Sequence, residues 1–156
     1  MRLVQRSTPL FLRLALGVTF LSAVADRFGL WGPPGADNVA WGTFARFTEY
    51  AAQLNPWAPH ALIPVLAWSA TAAEIGLGIA LIAGLFIRRV ALASGVLLLL
   101  FALGMTVGTG VESALNASVF SAAAAGFALS LLGPGAWSLD GLLRARMDPT
   151  ESPREG

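Results

Sequence analysis

Four apolar stretches, a scarcity of charge and one long aromatic loop predict an all-α integral membrane protein, a four-transmembrane-helix bundle with an amphipathic helix in the loop between spans 1 and 2. The chain has 156 residues, 56% of them hydrophobic and 12% charged, with a mean hydropathy of +0.68. A water-soluble domain carries roughly a quarter of its residues as charges. The predicted spans are residues 9–28, 62–86, 90–109 and 114–132, within one membrane domain over 1–139, followed by a tail over 140–156.

The first span follows Arg2 and Arg6 and closes on Ala23-Val24-Ala25, an A-x-A pattern that also ends secretory signal peptides. Arg13 interrupts its apolar run and three more spans follow, so a retained helix is the simpler expectation. The loop after it opens with Gly32-Pro33-Pro34-Gly35 and ends with Pro56 and Pro59, turn signals that bracket a helix expected over residues 38–54. Phe44, Phe47, Ala51 and Leu54 recur there at helical spacing, opposite Arg46, Glu49 and Gln53. Trp31, Trp41, Tyr50 and Trp57 surround them, as in a helix lying at a membrane interface. Such a helix either anchors the loop or caps the bundle as a gate or docking face.

Span 2 carries Ala72, Gly76, Ala80 and Gly84 at four-residue intervals, and span 3 carries a GxxxG at Gly104 and Gly108. Span 4, rich in alanine, carries Ala114, Ser118, Ala122, Gly126 and Ser130. Small residues let helix backbones approach in lipid, so tight bundle packing is expected from all three, with dimerisation as the alternative. Arg88 and Arg89 leave so short a turn that spans 2 and 3 are expected to be antiparallel neighbours. The tail from Asp140 onward lacks apolar periodicity and is expected to be partly disordered. Arginines cluster at Arg2, Arg6, Arg88, Arg89, Arg144, Arg146 and Arg154, against Arg27 and Arg46 on the other side. That bias predicts an inner-membrane, multi-pass protein with both termini cytoplasmic.

The composition removes several function classes. There is no cysteine, hence no thiolate metal site, disulfide or redox pair within the chain. All ten basic residues are arginine, which removes Schiff-base and P-loop lysines, and no basic stripe suits nucleic acid. His60 falls in a proline-rich surface turn and Glu112 at a span boundary, and no set has metal-ligand spacing. No cofactor is therefore expected to be built in, and the bilayer is the one certain partner of such a sequence.

Two residues stand out as ligand-binding or proton-relay candidates. Glu74 lies near the middle of span 2 and Arg13 inside span 1, where a charge costs roughly 2.5–3.5 kcal/mol on insertion scales. Their backbone depths differ by about 10 Å at a rise of 1.5 Å per residue. An arginine reaching upward would meet the carboxylate; one snorkelling down would not. The pair is read either as a structural clamp or as a site that holds a polar head group or relays a proton. Asp26, Arg27 and Trp31 are secondary candidates, read as a local salt bridge and anchor or as a site beneath the loop.

Arg13-Leu14-Ala15-Leu16-Gly17 with Phe20-Leu21, then Glu74 with Gly78 and Leu81, then Gly84-Leu85-Phe86-Ile87-Arg88, are followed by a leucine-rich third span and a small-residue fourth. In that order they resemble the DoxX family of membrane proteins. The chain departs from the family where Ala25-Asp26-Arg27-Phe28 replaces the small residue and lysine that end the first helix in many relatives. The resemblance implies a four-helix membrane bundle, with some relatives serving as subunits of a thiosulfate:quinone oxidoreductase and others joining oxidative-stress assemblies. With the buried charges it points to a quinone-linked or redox-associated subunit, not a stand-alone enzyme, with a quinone as lipophilic ligand and a redox protein as partner, while a homodimer is the partner that the small-residue stripes allow. A small-solute or proton transporter using Glu74, and a non-catalytic scaffold, are the alternatives.

Overall fold

The structure, a computed structural model, describes residues 2–135 and 138–140, with side chains from Ser7 onward. All regular structure among these residues is helical: α1 (Arg2–Arg27), α2 (Phe44–Leu54), a 3-10 turn (His60–Leu62), α3 (Ile63–Ala83), α4 (Ile87–Thr109), α5 (Val111–Asn116) and α6 (Val119–Leu132). Three helical stretches, Ser7–Arg27, His60–Ala83 and Ile87–Thr109, are long and apolar enough to cross a membrane, and α6 is a shorter apolar helix. The tail beyond 140, including Arg144, Arg146 and Arg154, lies outside the described residues.

Antiparallel α1 and α3 face each other through narrow stripes. Ile63, Ala67, Thr71, Glu74, Gly78 and Leu81, at intervals of three and four, form the buried side of α3. Arg13, Phe20 and Arg27, seven apart, lie on the buried side of α1. The two backbones touch where the side chains vanish, since a Cβ added to Gly17 would sit 2.9 Å from the Gly78 carbonyl oxygen. The expected contact stripe on this span is therefore corrected: Gly76 faces open space, and Gly78, on the Glu74 side, makes the crossing.

The turn between α3 and α4 comes earlier than expected. Gly84, at φ 76°, ends α3 in the left-handed conformation, and its N–H and that of Leu85 return to the Ala80 carbonyl. The Asp140 carboxylate accepts the N–H groups of Phe86 and Ile87, at 2.8 and 2.9 Å, so α4 begins at Ile87 and takes Arg88 and Arg89 into its first turn. Asp140 is thus docked rather than frayed. Its own N–H reaches the Gly84 carbonyl at 3.1 Å.

α4 packs mainly on α6, with Gly95 against Gly126: a Cβ on Gly126 would lie 2.8 Å from the Gly95 Cα. The fourth apolar segment is not continuous over 114–132. It breaks between α5 and α6 at Ser118, which holds φ 56°.

The loop helix starts at Phe44 instead of residue 38, because Asn38 and Gly42 take positive φ and Thr43 accepts the Arg46 N–H as N-cap. It lies across one end of the bundle, burying Phe47 and Ala51 with Ile63 and Ala67. The GxxxG of α4 serves this helix: Leu54 lies 3.5 Å from a Cβ at Gly104, and a Cβ at Gly108 would collide with the Gln53 carbonyl.

Candidate functional site

The end of the bundle that α2 covers collects most of the buried charge. Arg27, the last residue of α1, forms an ion pair through Nη1 with Glu74 Oε2, both side chains being less than 5% exposed. The same Nη1 donates to the Thr71 hydroxyl at 2.8 Å, and that hydroxyl donates to the Ala67 carbonyl at 2.8 Å. Thr71 and Glu74 are three residues apart on one helix face, so both reach a single guanidinium.

Asp26 does not pair with Arg27. Its carboxylate accepts the backbone N–H groups of Trp41, at 2.7 Å, and Ala40, at 3.3 Å, which fixes the loop over the end of α1. That bond positions Trp41 with its ring 5.3 Å from the Arg27 guanidinium carbon, while the Phe47 ring from α2 lies 3.7 Å away. A cation on an aromatic face in a desolvated setting gains about 2 kcal/mol. Phe28 and Phe44, 5.8 Å apart between centroids, and Trp68, 4.2 Å from Phe44, extend the aromatic cover. Among the described residues, Arg27 Nε has no hydrogen-bond acceptor, so the ion pair leaves one buried donor unsatisfied.

Arg13 is elsewhere, and the expected Arg13–Glu74 pairing is corrected. Its Nε donates to the Leu81 carbonyl at 3.0 Å, Nη2 to Ile82 at 3.1 Å and Nη1 to Pro134 at 3.1 Å. A cation there meets the unpaired carbonyls and negative dipole end of α3. The cause is register: the Gly17–Gly78 crossing brings Arg13 level with Ile82, and sets Arg27 beside the N-terminal half of α3, from where its side chain reaches back to Thr71 and Glu74. Arg13 and Arg27, fourteen residues apart, are both buried on one face of α1.

Trp31 lies, with Asp26, along a groove apart from the ion pair. Its indole N–H donates to the Ser22 carbonyl at 3.0 Å, and an open groove runs between α1 and the loop, lined by Thr19, Ser22, Asp26, Trp31, Asn38 and Trp41. Val18 continues its wall along α1. The carboxylate of Asp26 is engaged by backbone N–H groups, so hydroxyls, an amide and indoles set the groove's polar character. On the far side of Trp41, burial pushes the Tyr50 phenol up from its ordinary pKa, with the Thr109 hydroxyl offsetting part of the shift.

Of the candidate residues, Arg27 and Glu74 are brought together, Asp26 and Trp31 line the neighbouring groove, and Arg13 is left out of both. The sequence reading missed Trp41 and Phe47 as the cover of the cation and Thr71 as its hydroxyl partner. Thr71 had a usable signal in its spacing from Glu74; Trp41 had none, because a turn and not a helix carries it.

A family model for DoxX matches residues 8–109, from α1 through α4, and includes Arg13, Arg27 and Glu74. Neither curated proteins nor solved structures gave a match.

Proposed function

The chain belongs to the DoxX family, and on that premise we propose that it is a four-span protein of the inner membrane, with cytoplasmic termini, that serves as the quinone-binding subunit of a redox assembly. The groove beneath Trp31 carries this reading. Thr19, Ser22 and Asn38 offer neutral hydrogen-bonding groups to the carbonyls of a quinone ring, and the Trp31 and Trp41 indoles offer flat faces to it. Val18 leads from that polar end along the apolar surface of α1, the direction an isoprenoid tail would take into lipid. Interfacial tryptophans favour the same depth.

The Arg27–Glu74 pair has a positioning role here. It is occluded by Phe47 and does not line the groove, but it fixes the end of α1 from which Asp26 holds Ala40 and Trp41 in the groove wall. A bound quinone supplies two-electron chemistry; electrons would come from a partner protein, since the chain carries no cysteine ligand for a redox centre of its own.

Native mass spectrometry of protein extracted mildly from its own membrane tests the proposal. A co-purifying quinone that is lost in Asn38→Ala and Trp31→Ala, with folding intact by circular dichroism, is the expected result. A bare wild-type protein, or a quinone held equally by both variants, overturns it.

A further inference from the structure

α2 has a second face besides the one it buries. Phe47 and Ala51 go into the bundle, while Arg46, Glu49, Tyr50 and Gln53, a stripe at helical spacing, lie to one side of them and away from the core. With Ala40 and Trp41 of the preceding loop, that stripe lines an open cavity of about 410 Å³. Arg46 and Glu49 are exposed, opposite in sign and one turn apart. Among the described residues, neither side chain makes an ion pair or a hydrogen bond.

Helix stability does not account for the cation. Arg46 lies in the first turn of α2, which holds no acidic residue, and a positive side chain there opposes the positive end of the helix dipole. The loop side of the cavity is aromatic: the Trp41 and Tyr50 rings are 5.9 Å apart between centroids and inclined at 46°. Asp26 fixes the Trp41 backbone and the Thr109 hydroxyl is hydrogen-bonded to the Tyr50 phenol, so the two rings form a held corner. Trp31, Trp57 and Trp68 are exposed around the same end of the bundle, as in the aromatic belt at the level of lipid head groups.

We propose that this cavity binds a small zwitterion, an oxyanion joined to an ammonium, which is the chemistry of a phosphoethanolamine head group. The oxyanion pairs with the Arg46 guanidinium beside the N-terminal turn, where side chain and helix dipole attract it together. The ammonium lies one turn further on, between the Glu49 carboxylate and the Trp41–Tyr50 corner, and the Gln53 amide has a donor and an acceptor for either end. Side chains one turn apart have Cβ atoms about 5–6 Å from each other, a separation that a two-carbon link between phosphate and nitrogen can span. A purely anionic head group would be repelled by Glu49, and a simple cation by Arg46. Ala40 and Trp41 also line the groove beneath Trp31, so the two cavities share a wall. The proposal does not rest on a quinone occupying that groove.

The test uses the full-length protein in micelles, stripped of native lipid and titrated with phosphatidylethanolamine, phosphatidylglycerol and free phosphoethanolamine, with bound molecules counted by native mass spectrometry. Arg46 and Glu49 are exposed, so their substitution removes no buried contact. The expected result is one phosphatidylethanolamine held per chain in preference to phosphatidylglycerol, with an affinity about ten-fold lower in Arg46→Gln and in Glu49→Gln. Trp31→Ala and Asn38→Ala, which alter the groove and not this cavity, should bind it as the wild type does. Binding of free phosphoethanolamine with the same dependence on Arg46 and Glu49, but no preference between the lipids, would uphold the site and identify a ligand that arrives from water. The proposal is overturned by equal retention of both lipids without binding of the free compound, or by a preference that survives both α2 variants. It is also overturned by a phosphatidylglycerol preference lost only in Arg46→Gln, which would show a plain anion contact, or by lipid loss in Trp31→Ala alone, which would move the lipid to the groove.

Discussion

Arg27 is held from three sides, by the Glu74 carboxylate, the Thr71 hydroxyl and the Phe47 ring. Removing one member of a buried ion pair strands the other, whereas removing both returns the site to apolar packing. Glu74→Leu alone is therefore expected to cost about 3–5 kcal/mol, and Glu74→Leu with Arg27→Leu to recover most of it, as read by denaturant titration in micelles. Equal loss in the single and double variants would show that the pair is not what the stability depends on. Arg13→Ala should behave independently of Glu74 in the same double-mutant cycle, because Arg13 bonds to the carbonyls of Leu81, Ile82 and Pro134. Tyr50 gives a pH dependence. Its folded-state pKa is raised by burial, so the neutral phenol's contribution is complete below the unfolded value of about 10 and is lost as pH rises through the folded value. α2 should accordingly become more open to proteolysis in that alkaline range, and Tyr50→Phe should remove the dependence.

At the scale of elements, backbone contact decides how the helices sit. Gly17 and Gly78 set the α1–α3 register, Gly95 and Gly126 set α4 on α6, and Gly108 admits the end of α2. Gly108→Ala is expected to lift α2 from α4, seen as faster hydrogen exchange over 44–54, while Gly76→Ala, which meets nothing, should leave exchange unchanged. The N–H groups of Phe86, just before α4, and of Ile87, its first residue, depend on a carboxylate from beyond α6, so Asp140→Ala should cost about 0.5–2 kcal/mol, the range for a lost N-cap. A thermal midpoint unchanged by Asp140→Ala would contradict that role. The four-residue pattern of small side chains was legible in the sequence. Its use was not, because Ala72, Gly76 and Ala80 look like a contact stripe until the Glu74 face is found to be the packed one.

The whole molecule places α2 and the 3-10 turn at His60 at one end and the α3–α4 turn with Arg88 and Arg89 at the other. If the arginine bias orients the chain, Arg89→Cys labels from the cytoplasmic side and His60→Cys from the opposite side. Labelling of both from one side would contradict a membrane-crossing α3. Exposed side chains such as Phe11, Val18, Val65, Ile79, Leu100 and Val107 face outward along the long helices, which suits contact with lipid.

The sequence by itself determined the membrane class, the helical character, the position of the loop helix to within a few residues and the family. The first three follow from composition and periodicity, and the family from its resemblance in the order of short motifs, all read along the chain without its tertiary contacts. Only the tertiary structure decided that Glu74 meets Arg27 and not Arg13, that Asp26 binds the loop, that Asp140 caps α4 and that the fourth apolar segment breaks at Ser118. Each of these depends on register between segments distant in sequence. A hydropathy profile assigns depth along each helix, but whether a guanidinium 14 residues further along α1 reaches the carboxylate is settled by where two glycines let the backbones touch.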